Sequence, residues 1–160
     1  MTRYSSEAYS WRDDPAVPVF DESRPLFVFD GHCGLCSGGV RWLMSANQQG
    51  KILYTSAQGE LGASLYRHFG VEIDTTYLLI KDGHCWGMSG GYLRLLPVLG
   101  GAWRLLEITR LMPEALRDAL YRLVARNRYR WFGHHEHCSL LTPEQRSRLV
   151  DGTEKARALE

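Results

Sequence analysis

Long apolar runs are missing from this chain of 160 residues. None approaches the ~18–20 residues that a membrane-spanning helix needs. The longest, Leu26-Phe27-Val28-Phe29 and Tyr77-Leu78-Leu79-Ile80, have the length of buried strands. An excess of one charge is missing too. Nineteen basic and eighteen acidic residues leave a net +1, so no global field argues for nucleic acid or for an acidic partner. There is no internal repeat and no low-complexity segment. The first 25 residues mix Arg3, Arg12 and Arg24 with Glu7, Asp13, Asp14, Asp21 and Glu22 and contain no apolar stretch of a secretory signal, so a reducing cytoplasm is the expected compartment. Cysteine is scarce: four in all, too few and too scattered for a disulfide framework. What is present is an ordinary globular composition, 44% hydrophobic and 23% charged, which excludes a disordered chain and fits one domain.

Organisation follows from periodicity. Residues 1–24 are polar, with Pro15 and Pro18, and are expected to form an N-terminal extension on the surface; residues 25–150 form the domain and 151–160 a tail. A strand from Leu26 stops at Asp30-Gly31, and a helix from near Cys33 carries Val40, Leu43 and Met44 at helical spacing. Ile52 to Tyr54 forms a second strand, and Leu61, Leu65 and Phe69 mark a helix closed by Gly70. Tyr77 to Lys81 and His84 to Met88 form a hairpin around Asp82-Gly83. Ser89 is the expected N-cap of the next helix, and further helices are expected over 102–111 and 113–130. This order predicts an α/β fold with a mixed four-stranded sheet and additional C-terminal helices.

The chemistry lies in Cys33-Gly34-Leu35-Cys36, directly after a strand and at the first turn of a helix. Spacing of three residues puts the two sulfurs on one face of that turn. The helix start supplies unpaired backbone N–H groups and the positive end of the dipole, which together lower a thiol pKa. Cys33 is the expected nucleophile; Cys36, one turn inside and more buried, is the expected resolving thiol. No bound cofactor is called for.

Asp30-Gly31-His32-Cys33-Gly34-Leu35-Cys36 resembles the signature of the DCC family of predicted thiol-disulfide oxidoreductases, named for an Asp and two cysteines. Arg126-Asn127-Arg128-Tyr129, Phe132-Gly133 and Cys138 resemble that family's C-terminal segment. The resemblance spans about residues 26–140. It implies a thioredoxin-like three-layer fold with Asp30, Cys33 and Cys36 as the functional trio; Gly31, Thr75, Thr76, Arg128 and Cys138 are expected in support. The chain departs from thioredoxins in one respect. None of its six prolines is near residue 76, where Thr75-Thr76 stands in place of the usual cis-proline; a trans peptide is expected there.

Other residues admit two readings each. Asp30 either relays a proton for Cys36 and orients the loop, or is a turn-forming Asp before Gly. His32 is expected to be a solvent-facing loop residue. Ser89-Gly90-Gly91 resembles the Gly-Gly that holds glutathione in glutaredoxins and could bind a substrate anion at a helix start, although close helix packing is the stronger explanation of two glycines. Residues 94–130 hold eight arginines against Glu107, Glu114 and Asp118, a local +5; a solvated helix face is expected, with Arg128 set apart as a partner for a buried carboxylate, Asp30. Cys85 is expected in the core. Cys138, after His134-His135-Glu136-His137, is a third redox thiol, a buried one, or part of a zinc site with Cys33 and Cys36. The expected function is thiol-disulfide exchange that reduces protein or small-molecule disulfides. Its partners would be the disulfide substrate and an electron donor such as glutathione or a thioredoxin system, with no nucleic acid and no membrane span. The alternative is a non-catalytic zinc-binding or protein-interaction module.

Overall fold

Leu26–Phe29 forms β1, Gly34–Ala46 α1, Leu53–Ser56 β2, Glu60–Phe69 α2, Leu78–Lys81 β3, His84–Trp86 β4 and Met88–Leu99 α3. A 3-10 segment over Gly101–Leu111, the long α4 over Glu114–Phe132 and the short α5 over Pro143–Arg146 follow. The computed structural model describes residues 3–5, 7–46, 50–73, 75–133 and 141–150. Sheet order is β2-β1-β3-β4. β1 runs parallel to β2, with Phe29 beside Ser56, and antiparallel to β3, with Val28 beside Leu78. β3 and β4 form the expected hairpin; Asp82 and Gly83 take φ of 51° and 77°, the left-handed pair that a two-residue turn between twisted strands requires. With helices on both faces and extra ones at the C-terminus, this is a thioredoxin-like α/β fold.

The alternation along β1 divides the core. Leu26 and Val28 face one side, with Leu61, Leu65 and Tyr66 of α2, Leu78, Ile80 and Cys85. Phe27 and Phe29 face the other, with Val40, Leu43 and Met44 of α1 and Leu95 of α3. Cys85 is a packed core residue, as expected.

The N-terminal segment corrects the sequence reading. Residues 1–24 were expected on the surface, yet Trp11, Val17 and Phe20 are buried in the α2-side core. Backbone bonds from Tyr4 N to the Cys85 carbonyl (3.0 Å) and from Tyr9 N to that of Gly83 (2.7 Å) tie the segment to β4 and its turn. Three apolar residues without a common period escape a pattern search; they are recruited because the sheet face that α2 leaves open must be covered. At the other edge, Val150 N donates to the Tyr54 carbonyl of β2 (2.8 Å).

Two smaller differences concern helix starts. α3 begins at Met88, with Gly87 in the capping position, so Ser89 lies inside its first turn rather than before it. Residues expected as a helix over 102–111 form a 3-10 segment with no buried residue.

Candidate redox site

Cys33 stands at the junction of the β1 loop and α1. Its carbonyl accepts the first helical bond, from Ser37 N (2.9 Å), and its sulfur accepts the Cys36 N–H (3.4 Å). A thiol thus occupies the place where an N-cap oxygen usually meets the third amide of a helix. The Cys33 pKa is lowered from 9.0 to about 6, first by the Cys36 thiol donating to its sulfur, then, against the opposing effect of burial, by the Cys36 amide and the Arg128 charge. Cys36 is pushed up by the same contact, by burial and by the neighbouring Cys33 charge. The proton shared by the pair therefore resides on Cys36.

Exposure reverses the sequence reading. Cys33, expected as the accessible thiol, is 0% exposed, whereas Cys36 is partly exposed. The end of α4 lies against this turn, with the Gly133 carbonyl 3.4 Å from Gly34 N. Spacing within one turn says nothing of a helix that arrives from a hundred residues downstream.

Asp30 ends β1 at 2% exposure and meets four donors. Its Oδ1 accepts from His32 N (3.0 Å) and Gln58 Nε2 (2.8 Å); its Oδ2 accepts from Arg128 Nη2 (3.2 Å) and the Tyr129 hydroxyl (2.5 Å). The ion pair with Arg128 is buried on both sides, 3% against 3%. The second arm of the guanidinium reaches Cys36, with Nη1 3.6 Å from Sγ. One cation thus bridges the carboxylate and the inner thiol. Gly31 N donates to Gln58 Oε1 (2.9 Å), and the Gly31 carbonyl accepts from Ser37 Oγ (3.3 Å), fixing the loop between strand and helix.

Gln58 and the Tyr129 contact were not foreseen. A signal for Gln58 existed in the topology, since parallel β1 and β2 end side by side, which brings residues just past Ser56 next to Asp30. Tyr129 follows Arg128 at the end of α4, and both turn toward Asp30.

Thr76 is fully buried and lies one contact further out. Its hydroxyl meets the Tyr121 hydroxyl at 3.0 Å, and its carbonyl accepts from Tyr66 Oη at 2.6 Å. Both phenols are pushed up chiefly by burial and lie in electrostatic range of Cys36 and Arg128. No cis peptide occurs among the described residues. Thr75 is exposed and its amide closes a local turn to Glu72; the structure does not bring it to the cysteines.

Ser89, Gly90 and Gly91 form a separate cluster. Ser89 Oγ donates to Asp118 Oδ1 (2.5 Å), and Ser89 N lies 3.4 Å from the same atom. A carboxylate of α4 therefore already occupies the helix start that was expected to take a substrate anion. A Cβ on Gly91 would come within 3.0 Å of the Tyr77 ring, so close packing accounts for that glycine. Ser89→Ala is expected to cost ~1–3 kcal/mol of stability, as for a lost hydrogen bond to a charged group, while KM for a small disulfide stays unchanged; a raised KM would return this cluster to substrate binding. Among the described residues no group of three or more His, Cys, Asp or Glu is arranged to hold a metal ion. Cys138 and the histidines before it lie outside the described residues, and with them the zinc site considered above.

The chain is 34% identical to the protein YuxK of Bacillus subtilis over 127 residues, which cover 78% of this chain and 93% of the relative. It is 27% identical over 137 residues to a chloroplastic DCC family protein of Arabidopsis thaliana, covering 84% of this chain and 80% of the relative. No solved structure matches the chain. Residues 27–134 match the DCC1-like thiol-disulfide oxidoreductases, a span that runs from β1 through Asp30, both cysteines, Arg128 and Tyr129; the chain belongs to that family.

Proposed function

We propose that the protein reduces disulfides, with Cys33 as the attacking thiolate, reached by a local opening of the turn that covers its sulfur in this structure. The observation that supports this best is the Cys36 N–H aimed at the Cys33 sulfur at the start of α1, with Arg128 beside the second thiol. The thiolate attacks one sulfur of the substrate disulfide, forming a mixed disulfide and expelling the other sulfur as a thiolate. Cys33 then carries no negative charge. The two influences from Cys33 that held the proton on Cys36 disappear, while Arg128 remains. Cys36 gives up its proton to the departing thiolate and attacks Cys33, releasing the second substrate thiolate, which takes a proton from water. The balance is one dithiol oxidised to Cys33–Cys36 and one substrate disulfide reduced to two thiols.

Asp30 serves to hold Arg128 over Cys36 and to brace the loop through His32 N. A thiol donor must reset the enzyme; in a reducing cytoplasm, glutathione or a thioredoxin system has the chemistry for this. Oxidised glutathione and hydroxyethyl disulfide are suitable probes. Cys36→Ser is expected to accumulate a mixed disulfide on Cys33, detected as a mass increase that dithiothreitol reverses. A variant that turns over at the full rate without this adduct overturns the mechanism. So does one equivalent of tightly held zinc on Cys33 and Cys36.

A further inference from the structure

α4 is amphipathic in the wrong sense for a helix that only packs on its own domain. Its fully buried residues are Asp118 and Arg128, and its leucines point outward. Leu116, Leu120, Leu123, Val124 and Trp131 form one exposed stripe at helical spacing. The preceding 3-10 segment adds Leu105, Ile108 and Leu111, which are 76%, 68% and 84% exposed. Contiguous apolar surface on this scale marks a contact site rather than a solvated face.

Charge and polarity indicate what covers it. Arg122, Arg126 and Arg130, spaced four residues apart, run beside the stripe, all exposed and without an ion-pair partner among the described residues. In an antiparallel pairing a second copy of this chain would bring the same arginine row against itself, so that mode of self-association through this face is opposed. Asn127, the polar residue within the stripe, turns one side-chain N–H back to the Leu123 carbonyl (2.8 Å), which keeps that amide close to the helix. Leucines with a tryptophan at one end and arginines alongside are the composition of a helix lying in a bilayer interface. Arginine stems cover apolar surface while their heads reach phosphate. Leu120 also forms part of the wall of an apolar cavity of about 300 Å³, between α3 and α4, lined by Tyr77, Leu93, Met112 and Tyr121. No helix is long and apolar enough to cross a membrane among the described residues.

We propose that the outer face of α4, with the 3-10 segment before it, docks the protein on an anionic lipid surface. The redox pair then works beside the bilayer, because the end of the docked helix touches the first turn of α1 through Gly133 and Gly34. Arginines add ~1 kcal/mol each near an anionic leaflet, so the interaction weakens with salt.

The full chain is tested by sedimentation with vesicles of pure phosphatidylcholine and of phosphatidylcholine mixed with phosphatidylglycerol. The expected partition onto the anionic vesicles is at least ~10-fold the stronger at low salt. The triple variant Arg122→Gln, Arg126→Gln, Arg130→Gln is expected to lose at least ~10-fold of this. Leu116→Gln with Leu123→Gln is expected to weaken binding to the same vesicles. All five side chains are exposed, so melting temperature and turnover of hydroxyethyl disulfide in solution should not change. Equal partition onto both vesicle types, unaffected by the arginine variant, overturns the proposal. A concentration-dependent dimer that ignores vesicles overturns it in favour of a copy interface, and binding of polyglutamate but not vesicles overturns it in favour of an acidic protein.

Discussion

Cys33→Ser is expected to lower disulfide turnover by ~10³-fold or more, because a serine hydroxyl without an adjacent base is not a nucleophile toward sulfur. The wild-type pH profile carries the same information in graded form. Since the Cys33 thiol is lowered to about 6, its reactive thiolate accumulates as pH rises through that value and is about nine-tenths formed at pH 7; a thiol of ordinary pKa would be only a few per cent ionised there. Alkylation of Cys33 by iodoacetamide should therefore show a midpoint near 6. Cys85, pushed up by burial, should stay unlabelled in the folded protein. A midpoint near the ordinary thiol value would mean that the helix start and the Cys36 proton do not stabilise the thiolate. The stability consequence has a fixed sign. A group whose folded pKa is depressed contributes stability above its unfolded pKa and loses it as pH falls through the folded one, so the reduced protein gains stability between about pH 6 and 9. At pH 7 thiolate stabilisation favours the reduced form, which makes the couple more oxidising than one of ordinary thiols.

Arg128→Met is expected to cost ~3–5 kcal/mol of stability, the penalty for removing one partner of a buried ion pair. The lower end applies, because Asp30 keeps the Tyr129 hydroxyl, Gln58 and His32 N. For a chain of this size ~3 kcal/mol corresponds to a melting temperature lower by roughly 10 °C. Asp30→Asn on the Arg128→Met background should recover part of the loss, since the unpaired carboxylate charge is then gone; a cycle of both single variants and the double measures the coupling. The alkylation midpoint of Cys33 should rise in Arg128→Met, because the guanidinium lowers that thiol. Resolution of the mixed disulfide should slow as Cys36 loses the cation 3.6 Å from its sulfur. A melting temperature within about 2 °C of wild type, with an unmoved midpoint, would show that the pair is neither structural nor electrostatic in effect.

What could be read without the structure was local. Leu61, Leu65 and Phe69 followed by Gly70 state α2 and its end; Asp82-Gly83 states the hairpin; a strand running into Cys-x-x-Cys states a helix start with two thiols on one face. Each is decided within a few residues by backbone sterics, turn chemistry or helical period. Arg128 was matched to Asp30 through a family resemblance, not through any spacing, since 98 positions separate them.

The rest depended on which surfaces meet. The lead-in reads as polar, yet the sheet's open face takes Trp11, Val17 and Phe20. Ser89 reads as a free cap, yet Asp118 reaches it from another helix. Cys33 reads as the exposed thiol, yet it is buried. The leucines of α4 turn outward, which an amphipathic period does not decide, because it defines two faces without saying which one turns inward. The sequence by itself determined the elements, their order and the thiol pair, because those follow from short-range geometry. Tertiary structure alone decided the Gln58 and Tyr129 contacts of Asp30, the shielding of Cys33 and the outward leucines. All three result from contacts between distant segments, which only the assembled packing selects.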